Sequence, residues 1–286
     1  MKTKALRMYG KHDLRLEEFD LPAIKDDEIL AHIISDSVCM SSYKEAEQGS
    51  EHKRVPKDIA VNPVIIGHEF CGELIEVGKK WQGRFKAGQR FSIQPNMRHP
   101  DVVGGLGAPG YSFPYIGGAA TYIVIPKEVM EQNCLLEYNG ESFYFGSIAE
   151  PMSCIVAAFK ATYHIEENYI HRMGCVEGGN MAILAGVGPM GIGAIDLAIH
   201  SDRKPGRLVV TDIDDIRLAR AASIYPEAEA KKNGVELIYV NTKNLSDPVK
   251  QLKDLTGGKG YDDVFVFAPV KSVVEQGNQI LGFDGC

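Results

Sequence analysis

Residues 67–78 decide the fold expected of this chain: they read Gly-His-Glu-Phe-Cys-Gly-Glu-Leu-Ile-Glu-Val-Gly. They place the imidazole of His68 beside the carboxylate of Glu69 in an apolar, β-branched setting. Cys39 lies upstream, and a glycine-rich turn, residues 186–191, lies downstream between a strand-like and a helix-like run. One metal-ligand cluster and one dinucleotide-binding turn together predict hydride transfer at a zinc ion.

The composition fits a globular protein of two domains. The chain has 286 residues, of which 44% are hydrophobic, and a formal net charge of −7. A negative net charge argues for solubility and against a nucleic-acid partner. The six cysteines form no Cys-x-x-Cys pair, so we expect reduced thiols and a cytoplasmic location. The apolar run 181–199 is interrupted by glycines, Pro189 and Asp196, so we expect no membrane-spanning segment.

The first half of the chain has the pattern of a β domain. Gly67 and Gly72 interrupt a long β-branched stretch and indicate bulges or a bend. Residues 95–118 are rich in glycine and proline and predict a long loop, a kind of segment that is often functional. Strands are predicted at residues 28–38, 64–77, 90–94 and 122–125.

The second half alternates strands and helices. After a helix at 147–164, strands are predicted at 180–184, 207–211, 236–240 and 263–267, and helices at 189–200, 214–224, 247–255 and 270–281. This order predicts a parallel sheet covered by helices on both faces. We therefore expect an α/β protein with a zinc-binding β domain at residues 1–155 and a dinucleotide-binding, doubly wound domain at residues 156–286.

Four residues are candidate metal ligands. A catalytic zinc needs three protein ligands and one open position. Cys39 could supply a thiolate, His68 an imidazole nitrogen and Glu150 a carboxylate. Successive strand side chains point to opposite faces, so His68 and Glu69 cannot be equal ligands unless the backbone is irregular. We place Glu69 behind the metal, able to swing in. Taken singly, each residue also fits an ordinary structural role.

Residues 67–78 match the signature Gly-His-Glu-x2-Gly-x5-Gly, and the chain resembles the zinc-containing medium-chain alcohol dehydrogenases. The order Cys39, His68, Glu150, Gly186 fits that family across the chain. Residues 149–154, Ala-Glu-Pro-Met-Ser-Cys, are similar to the sorbitol dehydrogenase branch, in which a Glu replaces a Cys ligand. The resemblance implies a GroES-like catalytic domain, a Rossmann domain and one catalytic zinc.

The resemblance also implies roles for the residues after Cys39. Ser41 keeps the hydroxyl that relays the alcohol proton, so Ser41 and Glu69 are the expected catalytic residues. Ser42 stands where the family often has an Asp that orients the ligand histidine, so that orientation should come from elsewhere. The loop 95–118 contains no cysteine, so no structural zinc is expected.

The glycine-rich turn follows a strand and opens a helix, which is the context that dinucleotide binding requires. Gly186 permits the tight turn, Gly188 lets the backbone approach the pyrophosphate, and Gly191 lets helix and strand pack closely. Asp212, at the end of the next strand, can accept hydrogen bonds from the ribose of NAD and would repel the extra phosphate of NADP. Arg217 lies nearby and weakens this preference for NAD.

The substrate is predicted less sharply. The sorbitol dehydrogenase branch favours polyols and their ketoses. Residues 52–57, His-Lys-Arg-Val-Pro-Lys, could hold a phosphate, with Arg54 best suited to bidentate contact, and the pattern is similar to that of L-sorbose 1-phosphate reductases. Arg98 and His99 are a second candidate for this role. A solvated basic loop is the alternative.

A full Rossmann domain has six strands, and four are predicted here. We therefore expect a C-terminally truncated member with a bare apolar edge at 264–267, which would invite self-association. The family's missing part commonly forms a dimer interface, so we expect a homo-oligomer of the longer protein and assign no oligomeric state to this chain. A zinc-free relative of the quinone oxidoreductases and an inactive cofactor-binding fragment are the alternatives.

Overall fold

The computed structural model describes residues 1–286, except for the side chains of Glu166 and Glu167. The chain divides into two compact units, Met1–Pro151 and Met152–Cys286. The boundary falls within one long helix and close to the predicted domain boundary between residues 155 and 156.

The first unit is built mainly of antiparallel strands. Its elements in chain order are β1 (Lys2–Gly10), β2 (Asp13–Asp20), β3 (Ile29–Asp36), α1 (Met40–Gln48), β4 (Val64–Ile65), β5 (Phe70–Val77), β6 (Arg90–Ile93), β7 (Tyr122–Ile125), α2 (Lys127–Glu131), β8 (Leu135–Glu137) and α3 (Phe143–Ala161). One sheet has the order β2-β1-β4 and the other the order β7-β3-β5-β6-β8. The main core lies against the larger sheet and includes Phe70, Leu74, Phe91 and Ile123.

The stretch predicted as one strand at 64–77 is two strands in different sheets. β4 pairs with β1, whereas β5 pairs with β3 and β6. Gly67 lies between them with a φ of +93°, a backbone conformation that is easily reached only by glycine. The second irregularity lies opposite Gly72: the register shifts between Ile33 and Ser35, so that Ile34 is the extra residue of a bulge in β3. The bend and bulge predicted from the two glycines are therefore present.

The second unit contains the alternating strands and helices. Its elements are β9 (Tyr163–Glu166), β10 (Ile170–Met173), β11 (Asn180–Leu184), α4 (Pro189–His200), β12 (Arg207–Asp212), α5 (Asp215–Ile224), α6 (Glu227–Lys232), β13 (Glu236–Asn241), α7 (Pro248–Asp254), β14 (Asp263–Val266) and α8 (Lys271–Ile280). The parallel sheet has the order β13-β12-β11-β14, which is the 3-2-1-4 part of a Rossmann sheet. The predicted α/β fold class is confirmed.

Both faces of the parallel sheet are buried, because alternate residues of β11 belong to different core clusters. Ile183 packs in the cluster that contains residues of α4 and α5, and Ala182 and Leu184 pack in the cluster that contains residues of α7 and α8. The prediction of a bare strand edge at 264–267 is wrong in part, because the backbone of Cys286 hydrogen-bonds along the start of β14. Its carbonyl accepts from Val264 N at 2.8 Å.

Within the part of the chain that the structure describes, no helix combines the length and the apolar character that crossing a membrane requires.

Candidate functional site

Cys39 lies where β3 leads into α1. It is the N-cap residue of α1, and its Sγ accepts a hydrogen bond from the backbone N–H of Ser41 at 3.4 Å. The side chain is half-buried. The thiol lies close to the two residues that precede the neighbouring strand β5.

His68 and Glu69 precede β5 in an irregular segment and are both buried. Their side chains lie on the same side, with His68 Nε2 3.9 Å from Glu69 Oε1. The condition under which both can be ligands, an irregular backbone, is therefore met, and the positive φ of Gly67 is part of that irregularity.

Cys39, His68 and Glu69 form one donor group. Their ligand atoms all lie within 4.8 Å of one another. Among the described side chains, Glu150 is not part of this group; it lies half-buried on α3, one residue before Pro151. The structure thus places Glu69, and not Glu150, beside Cys39 and His68. A ligand role for Glu150 stays a prediction.

Ser37 holds the Glu69 carboxylate. Its Oγ donates to Glu69 Oε2, and its backbone N–H donates to the Glu69 carbonyl at 3.0 Å. Asp36, the last residue of β3, lies next to this contact. Burial and the charge of Glu69 raise the pKa of Asp36 to about 7, and its Oδ1 is buried without a hydrogen-bond partner among the described residues.

The protonation of the donors follows from burial. Burial raises the pKa of the Cys39 thiol, and the charge of Glu69 adds to this while hydrogen bonds from Ser41 oppose it. Burial lowers the pKa of His68; the charge of Arg54 lowers it further, and Glu69 acts in the opposite direction. His68 is therefore held neutral, which is the state that binds a metal.

The two serines that follow Met40 both contact this group. Ser41 donates its backbone N–H to Cys39 Sγ, and Ser42 Oγ lies 3.5 Å from His68 Nδ1, at the outer limit of a hydrogen bond. Ser42 was expected to leave the orientation of His68 to other groups. The structure instead places its hydroxyl beside the ring nitrogen.

Tyr111, in the long loop, packs against the donors from the other side. Its ring centre lies 5.0 Å from that of His68 and 5.3 Å from that of His52, and only 3% of the residue is exposed. Burial, with the nearby charge of Glu45, raises the pKa of Tyr111, and a hydrogen bond with Ser41 opposes this.

The basic segment 52–57 reaches the same place. The guanidinium carbon of Arg54 lies 5.7 Å from the Tyr111 ring centre, and one of its terminal nitrogens donates to Asn96 at 3.2 Å. Its Nε is buried and has no hydrogen-bond partner among the described residues. Lys57 points elsewhere and donates to the Ser50 carbonyl.

Arg98 and His99 were the second candidate for a phosphate contact, and His99 already has an acidic partner. His99 Nε2 lies 3.4 Å from Glu131 Oε2, and Arg98 is exposed. The structure therefore favours Arg54 over the Arg98–His99 pair for this role.

The donor set suits zinc. A thiolate, a neutral imidazole and a carboxylate are the ligands that a catalytic zinc takes, and three of them leave a position for substrate. Ser37 and Ser42, hydrogen-bonding a carboxylate and an imidazole from outside the donor group, are the kind of contact that orients metal ligands.

The glycine-rich turn lies between β11 and α4, as predicted. A Cβ at Gly191 would lie 2.0 Å from the Gly186 carbonyl oxygen, and a Cβ at Gly186 would lie 2.1 Å from Ile183 Cγ2. A Cβ at Gly188 would meet nothing within 4 Å. Gly188 is the N-cap residue of α4, so the open face at this position coincides with the helix N-terminus.

Asp212 is the last residue of β12. Its Oδ1 accepts from the backbone N–H groups of Ile213 at 2.8 Å and Asp214 at 3.1 Å. Arg217 is drawn toward Asp214, with 3.8 Å between Nε and Oδ2. The carboxylate is thus fixed at the strand end, the position predicted for a ribose contact.

Three residues near the donors were not predicted: Asp36, Ser37 and Tyr111. Ser37 lies two residues before Cys39 and could have been suspected on that ground alone. Tyr111 is 43 residues after His68 in a loop without periodicity, so only the folded chain brings the two together.

Known proteins resemble this chain over its whole length. Residues 25–133 match the alcohol dehydrogenase GroES-like domain. The L-sorbose 1-phosphate reductase of Klebsiella pneumoniae is 50% identical, and the match covers 99% of this chain and 67% of that protein. The mannitol-1-phosphate 5-dehydrogenase of Aliivibrio fischeri is 51% identical, and the match covers 100% of this chain and 67% of that protein.

Solved structures of zinc-binding dehydrogenases share the fold of this chain. A putative zinc-binding dehydrogenase of Sinorhizobium meliloti, solved with NADP, has a TM-score of 0.76 at 20% identity, covering 100% of this chain and 75% of that chain. The chain belongs to the zinc-dependent medium-chain alcohol dehydrogenase family. It is an oxidoreductase of that family, with a GroES-like unit and a Rossmann-like unit, as the sequence predicted.

Proposed function

We propose that this chain interconverts a phosphorylated polyol and its ketose with one zinc ion and NAD. The observation that carries the proposal is the position of the Arg54 cation beside the Cys39–His68–Glu69 group. The two relatives described above are named for sugar-phosphate substrates, which supports the same substrate class.

The distances suit a phosphate that is close to the reacting carbon. The Tyr111 ring centre lies 5.0 Å from His68 and 5.7 Å from the guanidinium carbon, so that carbon is at most about 11 Å from the His68 ring centre. No described carboxylate lies within ion-pair distance of Arg54. A phosphate would therefore meet a cation that is not already neutralised, in the bidentate geometry that guanidinium offers.

Zinc bound by these donors supplies Lewis acidity to a substrate hydroxyl or carbonyl oxygen. Ser41 lies next to Cys39 and can give a proton to that oxygen or take one from it. Tyr111 covers one side of His68 and excludes water there. Glu69, held by Ser37, keeps a carboxylate beside the imidazole.

Coenzyme binding is assigned to Gly186, Gly188, Gly191 and Asp212. The open face at Gly188 supports pyrophosphate binding at the N-terminus of α4. The fixed carboxylate of Asp212 supports NAD over NADP, since a 2′-phosphate would meet a negative charge. Contact between Arg217 and Asp214 leaves that arginine less available for such a phosphate.

A matched substrate panel tests the proposal. The chain is loaded with zinc and assayed with L-sorbose 1-phosphate and mannitol 1-phosphate, each against its unphosphorylated sugar, with NAD(H) and NADP(H). We expect kcat/KM to be at least about 100-fold higher for the phosphorylated compounds, as the loss of a charge-assisted contact implies. Equal values of kcat/KM would exclude a preference for phosphorylated substrates. No turnover of any substrate would favour the alternative that the chain is an inactive cofactor-binding fragment.

The zinc-free alternative is tested by metal analysis of the same preparation. We expect about one zinc per chain and loss of turnover after chelation. A single catalytic zinc without a structural one, a cytoplasmic location and the oligomeric state stay predictions.

A further inference from the structure

Asp36, the last residue of β3, has a side chain that fills the space beside two glycines. A Cβ built at Gly67 would lie 2.6 Å from Asp36 Oδ2, and a Cβ built at Gly118 would lie 2.1 Å from Asp36 Oδ1. The carboxyl group therefore rests against the backbone of both glycines, in space that a side chain at either position would need. We call this space between Gly67 and Gly118 the Asp36 slot.

The backbone of Gly67 is also held from the long loop. The Gly67 carbonyl accepts a hydrogen bond from Gly118 N at 2.8 Å. A Cβ built at Gly110 would lie 2.0 Å from the same carbonyl oxygen and 3.1 Å from His68 Cβ, so the backbone of Gly110 packs closely here as well. Between these contacts and the Asp36 carboxyl group, Gly67 adopts its φ of +93°.

A carboxyl group is an expensive choice for this slot. Asp36 Oδ1 is buried and has no hydrogen-bond partner among the described residues. Burial of an unpaired polar atom costs free energy, and buried polar groups nearly always have a partner. Departures of this kind are expected where function requires them. The functional group next to the slot is the pair of donors that follows Gly67 in the chain, His68 and Glu69.

We propose that Asp36 is a positioning residue for the metal donors. By filling its slot, it holds Gly67 in the conformation that turns His68 and Glu69 to the same side. Asp36 touches neither the substrate nor the metal in this role. The proposal rests on the proposed function, because the zinc site of that function is what Asp36 arranges.

Three substitutions change the slot in different ways. Asp36→Ala empties it, and Asp36→Asn fills it with a side chain of the same shape. Gly118→Ala keeps Asp36 but places a Cβ where its carboxyl group lies. Asp20→Ala is the control for the aspartate, because Asp20 is the exposed last residue of β2. Gly83→Ala is the control for the glycine, because its Cβ would meet no described atom within 4 Å.

Metal binding is the first measurement. The zinc dissociation constant of each variant is measured by competition with a chelator, and the absorption bands of bound cobalt(II) report the arrangement of the donors. We expect Asp36→Ala and Gly118→Ala to weaken zinc binding by roughly 10- to 100-fold, the range for a lost orienting contact, and to change the cobalt bands. Asp36→Asn and both controls should match the wild type.

Urea unfolding separates this role from an ordinary structural one. If Asp36→Ala lowered the free energy of unfolding but kept the wild-type zinc affinity and cobalt bands, Asp36 would serve stability alone and the proposal would be wrong. Equal losses of zinc affinity in Asp36→Asn and Asp36→Ala would also contradict it, since the amide fills the slot.

A second measurement needs no metal. The His68 ring centre lies 5.0 Å from the Tyr111 ring centre, so the aromatic ring current shifts the proton resonance of His68 Cε1. This resonance is assigned by its loss in His68→Gln. We expect it to move in Asp36→Ala and Gly118→Ala and to stay in place in Asp36→Asn and the controls.

An unmoved His68 resonance in Asp36→Ala would overturn the proposal. Failure of the proposed function looks different, because the wild type itself would then bind no zinc. The resonance of the metal-free chain would still decide whether Asp36 positions His68.

Discussion

His68 Nε2 lies 3.9 Å from Glu69 Oε1, although these residues are neighbours in the sequence. Neighbours in a regular strand would point to opposite faces. The carboxylate stays in this position because its other oxygen accepts from Ser37 Oγ. Ser37 therefore sets the distance between two donor atoms without being a donor itself.

Ser37→Ala should weaken zinc binding. Removing the hydroxyl frees the Glu69 carboxylate, and loss of a partner of this kind costs about 10- to 100-fold in metal affinity. The dissociation constant is measured by competition with a chromophoric chelator. Ser35→Ala is the control, because Ser35 Oγ contacts Ser147 Oγ at 2.8 Å and not Glu69. An affinity within twofold of wild type for Ser37→Ala would contradict this role.

Arg54→Ala should raise KM for a phosphorylated ketose by roughly 10- to 100-fold, the effect of losing a hydrogen bond to a charged group. KM for the unphosphorylated ketose should not change. Lys53→Ala removes an exposed cation from the same segment and serves as the control. If both substitutions acted equally, the segment would contribute only general positive charge.

The glycine-rich turn offers two substitutions with opposite expectations. Gly188→Ala should leave the melting temperature unchanged, since its Cβ meets no atom within 4 Å, but it should weaken NAD binding at least about tenfold by blocking the pyrophosphate. Gly191→Ala should destabilise the second unit by about 2 kcal/mol or more, because its Cβ would lie 2.0 Å from the Gly186 carbonyl oxygen. Calorimetric binding and thermal unfolding measure both effects, and similar behaviour of the two variants would contradict them.

Asp212→Ser should shift coenzyme preference toward NADP. The substitution removes the negative charge that opposes a 2′-phosphate, so the ratio of kcat/KM for NAD to that for NADP should fall by roughly 100-fold. Adding Arg217→Ala to the Asp212→Ser variant shows whether Arg217 then binds the 2′-phosphate of NADP. An unchanged ratio in Asp212→Ser would mean that the carboxylate only shapes the turn.

Glu45 should make the stability of the chain depend on pH. Its pKa is about 9 when folded and near 4.5 when unfolded. Below pH 4.5 both states carry the proton; between pH 4.5 and pH 9 only the unfolded chain loses it, so the free energy of unfolding falls as the pH rises. The loss between pH 5 and pH 7 is about 3 kcal/mol.

Glu45→Gln should abolish this dependence and be more stable than the wild type at pH 7. Urea unfolding at pH 5, 7 and 9 measures the free energy of unfolding. Glu47→Gln is the control, because Glu47 lies on the same helix with its Oε1 3.3 Å from His12 Nδ1. Parallel curves for wild type and Glu45→Gln would show that the carboxyl group is ionised in the folded chain.

The strands and helices of the parallel sheet were predicted closely, because their apolar residues recur at the spacing typical of buried strands and of amphipathic helices. Helix α4 occupies Pro189–His200, as predicted, and the strand predicted at 180–184 is β11. The first unit was predicted less well. Helix α1 has few apolar residues, so hydrophobic periodicity does not reveal it, although it carries Ser41, Ser42 and Glu45.

The donor group shows the same limit. The sequence pointed to Cys39, His68 and Glu69 by residue type and spacing. Their convergence depends on the backbone at Gly67, whose conformation no periodicity encodes. The contacts of Tyr111 and Ser37 join segments far apart in the sequence, and only packing determines them.

The pairing of β3 with β5 has a further consequence. The ladder ends with Asp36 opposite Phe70 and continues as the bond from Ser37 N to the Glu69 carbonyl, next to Cys39 and His68. The pairing of these two strands, together with the backbone at Gly67, thus places the donors near one another. Cobalt(II), a spectroscopic surrogate with similar ligand preferences, should consequently enter the emptied protein without refolding it.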